Sequence, residues 1–184
     1  MRDQMDEETE SSPLLRPLRI VDIDEAGEHK IEATSEEISE MVALLGLVAL
    51  DGLKFEYRLR RGVDGRVDLL GRLKAHVAQT CVVTLEPIET DIDIPVEVEF
   101  WPQLMLEELE NDPEEPGESG RLDWPEGITD GTIDIGPVIY ETLGTALDLY
   151  PKRGDAKLEW SQAAEDAKAI KAGPFAALKR LKKP

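Results

Sequence analysis

The chain has 184 residues, of which 41% are hydrophobic and 33% charged. This is enough apolar material for one globular domain, and the chain is too short for a second full one. Its 40 acidic and 21 basic residues leave a net charge of -19, and the resulting field repels phosphate backbones and anionic lipid headgroups. The composition therefore excludes wholesale disorder and disfavours a generic nucleic-acid binder.

The start of the chain is rich in carboxylates and poor in apolar side chains, so we expect a disordered acidic N-terminus over residues 1–12. It has neither the basic nor the apolar region of a signal peptide. The longest purely apolar run, Met41–Leu50, is much shorter than the roughly 20 residues of a membrane-spanning helix. The single cysteine, Cys81, agrees with a reducing compartment. We therefore expect a cytoplasmic protein that contacts no membrane.

Two short strands and a helix are predicted next. The strand candidates are Leu18–Ile23 and His29–Ala33. Thr34, with Glu37 three residues later, forms a capping box, which is a start signal for a helix. Gly46 then gives the stop signal. The apolar residues that recur at helical spacing between these signals are Ile38, Met41, Val42 and Leu45.

Three further segments alternate apolar and polar residues with period two, which is typical of half-buried strands. They are Leu53–Leu59, Val67–Val77 and Ile92–Phe100. Asp64-Gly65 marks a turn between the first two, and Thr84–Pro87 marks a break before the third. The predicted buried face of the sheet consists of Phe55, Tyr57, Leu69, Leu73, Val77, Ile94, Val96 and Val98.

After these strands we predict a loop and a second helix. Prolines and carboxylates over about residues 107–120 indicate a mobile acidic loop. Gly136-Pro137 places a proline at the first position of a helix, and Pro151 stops it. Its apolar stripe, which predicts packing on the core, contains Ile139, Leu143, Ala146 and Leu147.

The chain becomes basic at its end, over residues 153–184. In this tail we predict a short amphipathic helix that begins at Pro174, with Phe175, Leu178 and Leu181 spaced by three. Such a stripe suits docking either on a partner or back on the acidic domain.

Together these elements predict an α+β fold with one domain over residues 13–152. Its core is an antiparallel sheet of about five or six strands, either open or curled toward a barrel, covered by two packed helices. The basic tail with its short helix follows the domain.

The sequence offers little for catalysis or metal binding. With one cysteine and two histidines, a zinc site would need carboxylates to complete it. Cys81 as a nucleophile needs an adjacent base, and His76 lies too far away along the same strand. Glycine-rich phosphate loops and nucleophile elbows are absent from the sequence. We therefore predict no catalytic residue, no metal site and no cofactor.

Two charged faces remain as candidate contact surfaces. If the first two long strands form a hairpin, five cations lie side by side and suit RNA phosphates: Lys54, Arg58, Arg60, Arg72 and Lys74. The alternative is that the neighbouring acidic strand neutralises them. That strand carries Asp91, Asp93, Glu97 and Glu99 on its polar face.

The segment Cys81–Pro87, with the alternating strand after it, resembles the YceD family, the large ribosomal RNA subunit accumulation proteins. Further segments fit in the same order along the chain. The matching residues are Cys81, Leu85, Glu86, Pro87, Asp134, Gly136, Tyr150, Pro151, Pro174 and Phe175. Many members carry a second cysteine where this chain has Thr84, so the resemblance does not extend to a paired-cysteine site.

The resemblance implies a protein needed for accumulation of large-subunit (23S) ribosomal RNA, without a known enzymatic reaction. Since the chain is acidic and ribosomal proteins are mostly basic, we hypothesise that it binds a basic large-subunit ribosomal protein or a pre-ribosomal particle. The carboxylates expected to make the contact are Asp91, Asp93, Glu97, Glu99, Glu107 and Glu108. Direct ribosomal RNA binding through the basic hairpin is the alternative, followed by a small-molecule enzyme.

Overall fold

A computed structural model of the chain describes residues 12–110 and 124–156. Its strands are β1 Pro17–Arg19, β2 His29–Glu32, β3 Ala49–Arg61, β4 Val67–Thr80, β5 Pro87–Pro102, β6 Glu126–Ile128 and β7 Thr132–Asp134. Its helices are α1 Ser35–Leu45, α2 Gln103–Glu110 and α3 Ile135–Ala146, with one turn of 3₁₀ helix at Ile20–Asp22. The predicted α+β class is thereby confirmed.

The main sheet has five strands in the order β2-β3-β4-β5-β6. The long strands β3, β4 and β5 pair antiparallel in chain order, as their period-two alternation predicts. The antiparallel prediction is wrong for β6, which runs parallel to β5 with Phe100 opposite Glu126. Between the two strands the chain passes through α2, and a parallel neighbour needs such a crossover.

The barrel alternative is wrong for the part of the chain that the structure describes. There the five-stranded sheet stays open, with β2 and β6 at its edges. Instead of extending it, β1 pairs antiparallel with β7 in a separate two-stranded sheet. The observed strand β1 is shorter than the predicted strand Leu18–Ile23, since the chain turns into the 3₁₀ helix at Ile20.

Helix α1 begins and ends where its capping signals predict. The Thr34 side chain accepts a hydrogen bond from the Glu37 N–H, and the Glu37 carboxylate accepts one from the Thr34 N–H at 2.8 Å. Gly46 closes the helix in the left-handed conformation with φ of 63°.

The two-helix prediction is wrong, because α2 is a third α-helix among the described residues. It runs to Glu110 and so occupies the start of the segment expected to be a loop from Glu107. Residues 111–120 of that segment lie outside the described residues, as do residues 1–11 and the predicted helix of the basic tail.

Helix α3 starts two residues earlier than predicted. Asp134 caps it by accepting a hydrogen bond from the Gly136 N–H at 2.9 Å, so Pro137 is the third helical residue instead of the first. This position still suits proline, since the first turn of a helix has no intrahelical acceptor for its N–H groups.

Strand β3 carries an irregularity that the alternation could not predict. Its pairing with β4 slips by one residue between Asp51 and Lys54, where Gly52 has φ of 63°. Such a bulge turns both Leu50 and Leu53 inward although they are three residues apart. The predicted strand begins only at Leu53 because the pattern breaks at this point.

The core lies between the inner face of the sheet and the layer formed by α1, α3 and the β1–β7 pair. The predicted inner face is confirmed: Phe55, Leu69, Leu73, Val77 and Val96 are buried, while Tyr57, Ile94 and Val98 are partly buried against the core. The opposing layer contributes Leu14, Met41, Ile133, Ile135, Ile139 and Leu143, all essentially inaccessible to solvent.

Candidate functional site

The outer face of the sheet gathers the five predicted RNA-contact cations on β3 and β4. Cross-strand pairing places Lys54 opposite Lys74 and Arg72 opposite Glu56. Each cation forms an ion pair: Lys54 with Glu32 at 3.8 Å, Arg60 with Asp68 at 2.7 Å, Lys74 with Glu56 at 3.6 Å, Arg58 with Glu28, and Arg72 with Asp93. The hairpin thus brings the cations together, and each is paired with a carboxylate, two of which lie on the hairpin itself: Glu56 on β3 and Asp68 on β4.

Hydrogen bonding within these pairs shifts the acid–base equilibria in the expected directions. The Arg72 guanidinium lowers the pKa of Asp93, and Asp93 raises that of Arg72. Arg58 likewise lowers the pKa of Glu28. Asp93, Arg72 and Glu28 therefore hold their charges more firmly than in isolation. The basic face is neutralised, but the predicted acidic strand β5 supplies only Asp93, and the other four carboxylates come from elsewhere: Glu28, Glu32, Glu56 and Asp68.

The predicted partner-contact carboxylates of β5 occupy the same outer face, on the side toward α2. Asp93 is engaged by Arg72, Asp91 lies 2.7 Å from the ring of His76, and Glu99 accepts a hydrogen bond from the Trp101 indole at 2.9 Å. The hydrogen bond to Asp91 raises the pKa of His76. These three carboxylates are thus at least partly committed to neighbours.

Two of the predicted partner-contact carboxylates remain available. Glu97 on β5 and Glu108 on α2 are exposed and have no ion-pair partner in the described ranges. Glu107 precedes Glu108 on the same helix, which continues directly from β5. The unbalanced charge on this side of the molecule is therefore negative.

The resemblance residues Cys81–Glu86 form a tight turn between β4 and β5. The Cys81 N–H donates to the Glu86 carbonyl at 2.8 Å, and the Leu85 N–H donates to the Cys81 carbonyl at 2.9 Å. Leu85 adopts a left-handed conformation with φ of 62°. We call this segment the Cys81 turn.

A second resemblance segment, residues 147–152, packs with the adjoining Arg153 along the Cys81 turn. The Val82 N–H donates to the Pro151 carbonyl at 2.9 Å, and Arg153 forms an ion pair with Glu86 at 2.6 Å. Gln79 and Asp148 exchange two further hydrogen bonds. Segments about seventy residues apart in the sequence thus form one corner of the domain.

Cys81 is buried inside this corner. The Thr84 N–H donates to its Sγ atom at 3.4 Å. Interactions with the side chain and backbone of Thr84 and with the backbone of Arg153 lower the pKa of the thiol to about 6. Thr84 is therefore a hydrogen-bond partner of Cys81 through its backbone. No group of three or more His, Cys, Asp or Glu suited to a metal ion occurs in residues 12–110 and 124–156.

Asp134 and Gly136 fasten the N-terminal segment to α3. The Asp134 carboxylate accepts the Arg16 N–H at 2.7 Å and the Gly136 N–H at 2.9 Å. A Cβ atom on Gly136 would lie 2.0 Å from the Leu14 carbonyl oxygen. Hydrogen bonding therefore explains an aspartate at position 134, and close packing explains a glycine at position 136.

The sequence interpretation missed that the corner exposes large apolar side chains. Val82, Leu85, Leu149 and Tyr150 are all more than half exposed although rigid backbone hydrogen bonds hold their segments. The sequence does contain a signal for this corner. Its turn segments, which include prolines, carry large apolar residues where polar residues are usual. Pro174 and Phe175, also part of the resemblance, lie outside the described residues.

The described chain is thus an α+β domain with a charge-paired sheet face and an apolar corner assembled from two distant segments. The family model described as "Large ribosomal RNA subunit accumulation protein YceD" matches residues 69–182. The chain therefore belongs to the YceD family, which confirms the resemblance. The match includes β4, β5 and both segments of the corner.

Other comparisons add no relatives. No curated protein and no solved structure matches the chain. Among the described helices, none combines the length and the apolar character needed to cross a membrane.

Proposed function

We propose that the protein is a non-enzymatic factor that supports accumulation of 23S ribosomal RNA by binding a basic large-subunit ribosomal protein, free or within a pre-ribosomal particle. The family description supplies the large-subunit ribosomal RNA. We infer a cationic partner from the charge balance of the outer face of the sheet. Its five cations all have carboxylate partners, whereas Glu97 and Glu108 have none among the described residues.

This balance favours a cationic partner over RNA. Phosphates would have to displace carboxylates from half-exposed ion pairs, and the chain's net charge of -19 would oppose their approach. Lysines or arginines of a partner, in contrast, meet carboxylates that need no release. Attraction of this kind speeds association and weakens with salt.

The test is capture of ribosomal components by the full chain at low and high salt, with and without ribonuclease. We expect basic large-subunit ribosomal proteins to be retained at low salt after ribonuclease treatment and released at high salt. Glu97→Lys should reduce capture several-fold. Glu40→Lys, the same charge change on the exposed surface of α1, is the matched control and should leave capture nearly unchanged.

The opposite result would identify RNA as the ligand. Capture of naked ribosomal RNA without a ribosomal protein would overturn the proposal, as would loss of association on charge reversal at Arg58 and Arg72 with ribosomal-protein binding intact. In that case the outer-face cations must exchange their carboxylates for phosphates.

A further inference from the structure

We propose that the apolar corner, defined as the exposed side chains of Val82, Leu85, Leu149 and Tyr150, is the docking surface for the chain's own segment Pro174–Leu181. This inference does not depend on the partner proposed above. It concerns a different surface, at the end of the sheet where β4 turns into β5.

The corner is held in place although it faces solvent. Leu85 and Tyr150 are each 76% exposed and Leu149 is 85% exposed. Their segments are nevertheless fixed by the bond from Val82 to Pro151, the Gln79–Asp148 pair and the Arg153–Glu86 ion pair. Neighbouring apolar side chains presented on a fixed backbone are typical of a contact surface.

The backbone conformation of Leu85 also supports a contact surface at this corner. A left-handed backbone is unfavourable for a leucine, and here it is not offset by burial of the side chain, which projects into solvent. Strain of this kind persists where the surrounding structure enforces it, commonly at contact sites. The Cys81 turn enforces it by closing hydrogen bonds on both sides of Leu85.

The course of the chain makes residues 174–181 a suitable occupant. Arg153 contacts the Cys81 turn, and the Ala156 N–H donates to the Arg153 carbonyl at 3.0 Å, so the described chain ends beside the corner. Residues 157–173 then span up to about 55 Å if extended and about 25 Å if helical. Either length allows residues 174–181 to return to the corner.

The chemistry of the segment matches that of the corner. Phe175, Leu178 and Leu181 form one apolar stripe at helical spacing, which suits side chains such as Tyr150 and Leu85. Residues 157–184 hold seven Lys or Arg against three Asp or Glu, so they carry a net charge of +4, while residues 1–156, with 14 basic and 37 acidic residues, carry -23. The segment is thereby attracted to the domain, and the family match over residues 69–182 includes both surfaces.

The experiment is methyl NMR on the full chain with labelled Val and Leu residues. We expect cross-peaks between the Phe175 ring and the methyl groups of Leu85 and Leu149 that persist on dilution. Leu178→Asp should abolish them and shift the methyl signals of the corner. The exposed side chains of Val63 and Leu104, elsewhere on the domain, should keep their signals.

A matched variant separates docking from a general effect of charge. Ala176→Asp adds the same carboxylate on the side of the predicted helix opposite the apolar stripe, so the cross-peaks should remain. Absence of cross-peaks in the unmodified chain would overturn the proposal. Cross-peaks that vanish on dilution would also overturn it, since they would show contact with a second copy. Neither outcome bears on capture of ribosomal proteins, which the pull-down measures separately.

Discussion

At the scale of single residues, a two-bond ion pair ties the segment before β1 to α1. The Arg16 guanidinium donates to both carboxylate oxygens of Glu37, at 2.6 and 2.9 Å, while Glu37 also caps the helix through Thr34. The hydrogen bond from Arg16 is the main cause that lowers the pKa of Glu37 to about 2. One side chain therefore serves helix capping and tertiary contact together.

This coupling predicts an acid dependence of stability. Because the pKa of Glu37 is lowered on folding, its contribution is fully present above pH 4.5 and is lost as the pH falls toward 2. Glu37→Gln should cost about 1–2 kcal/mol at pH 7. It should also reduce the fall of the free energy of unfolding between pH 4.5 and 2, measured by urea denaturation.

The neighbouring variant Glu36→Gln is the control, because Glu36 lies in the same first turn and is exposed. It should reproduce the unmodified pH profile. Equal slopes for the two variants would contradict the role assigned to the Arg16–Glu37 pair.

At the scale of elements, the sheet is stabilised by the two unlike faces of its long strands. On β4, Leu69 and Leu73 are fully buried, whereas Leu70 on the opposite face is 52% exposed. The charged residues of that outer face contribute little each, because half-exposed ion pairs are worth at most about 1 kcal/mol. Burial on the inner face therefore provides most of the stability of the sheet.

Two leucine truncations on β4 test this division. Leu73→Ala should lower the free energy of unfolding by about 2–5 kcal/mol, since it leaves a cavity in the core. Leu70→Ala removes the same atoms from the outer face and should cost less than about 1 kcal/mol. Thermal or urea denaturation of both variants measures the difference, and equal losses would show that the assignment of faces is wrong.

The strand pattern, the capping box of α1 and the inner face of the sheet were all predictable from sequence, because each depends on residues within one or two turns or strand repeats. The bulge at Gly52 and the short strands β6 and β7 were not. Each of the latter has three residues, too few for a period to emerge, and they exist because neighbouring strands offer hydrogen-bond partners.

At the scale of the whole molecule, the segment before β1, residues 14–16, connects two helices that are far apart in sequence. Leu14 is buried against the core, Arg16 bonds to Glu37 on α1, and the Asp134 carboxylate accepts the Arg16 N–H. The Ile135 N–H donates to the Arg16 carbonyl at 3.2 Å. This segment thus fastens α1 and α3 to each other.

The close passage of Leu14 over α3 predicts opposite effects for two glycines of the same helix. Gly136→Ala would place its Cβ 2.0 Å from a backbone oxygen, so we expect a loss of about 2 kcal/mol or more. Gly144→Ala meets the Leu45 side chain at an ordinary 3.6 Å and should be neutral or stabilising by up to about 1 kcal/mol. Urea unfolding curves of both variants measure the two free energies of unfolding, and similar changes in the two variants would refute the packing role of Gly136.

By itself, the sequence determined the α+β class, the acidic character, the three long strands, the ends of α1 and membership of the YceD family. These properties follow from composition and from patterns between near neighbours along the chain. The tertiary structure decided that the cations of the hairpin are ion-paired, that β6 is parallel, and that Leu85 and Tyr150 share an exposed corner. Each of these depends on which distant residues meet, and such meetings are set by the packing of the whole domain.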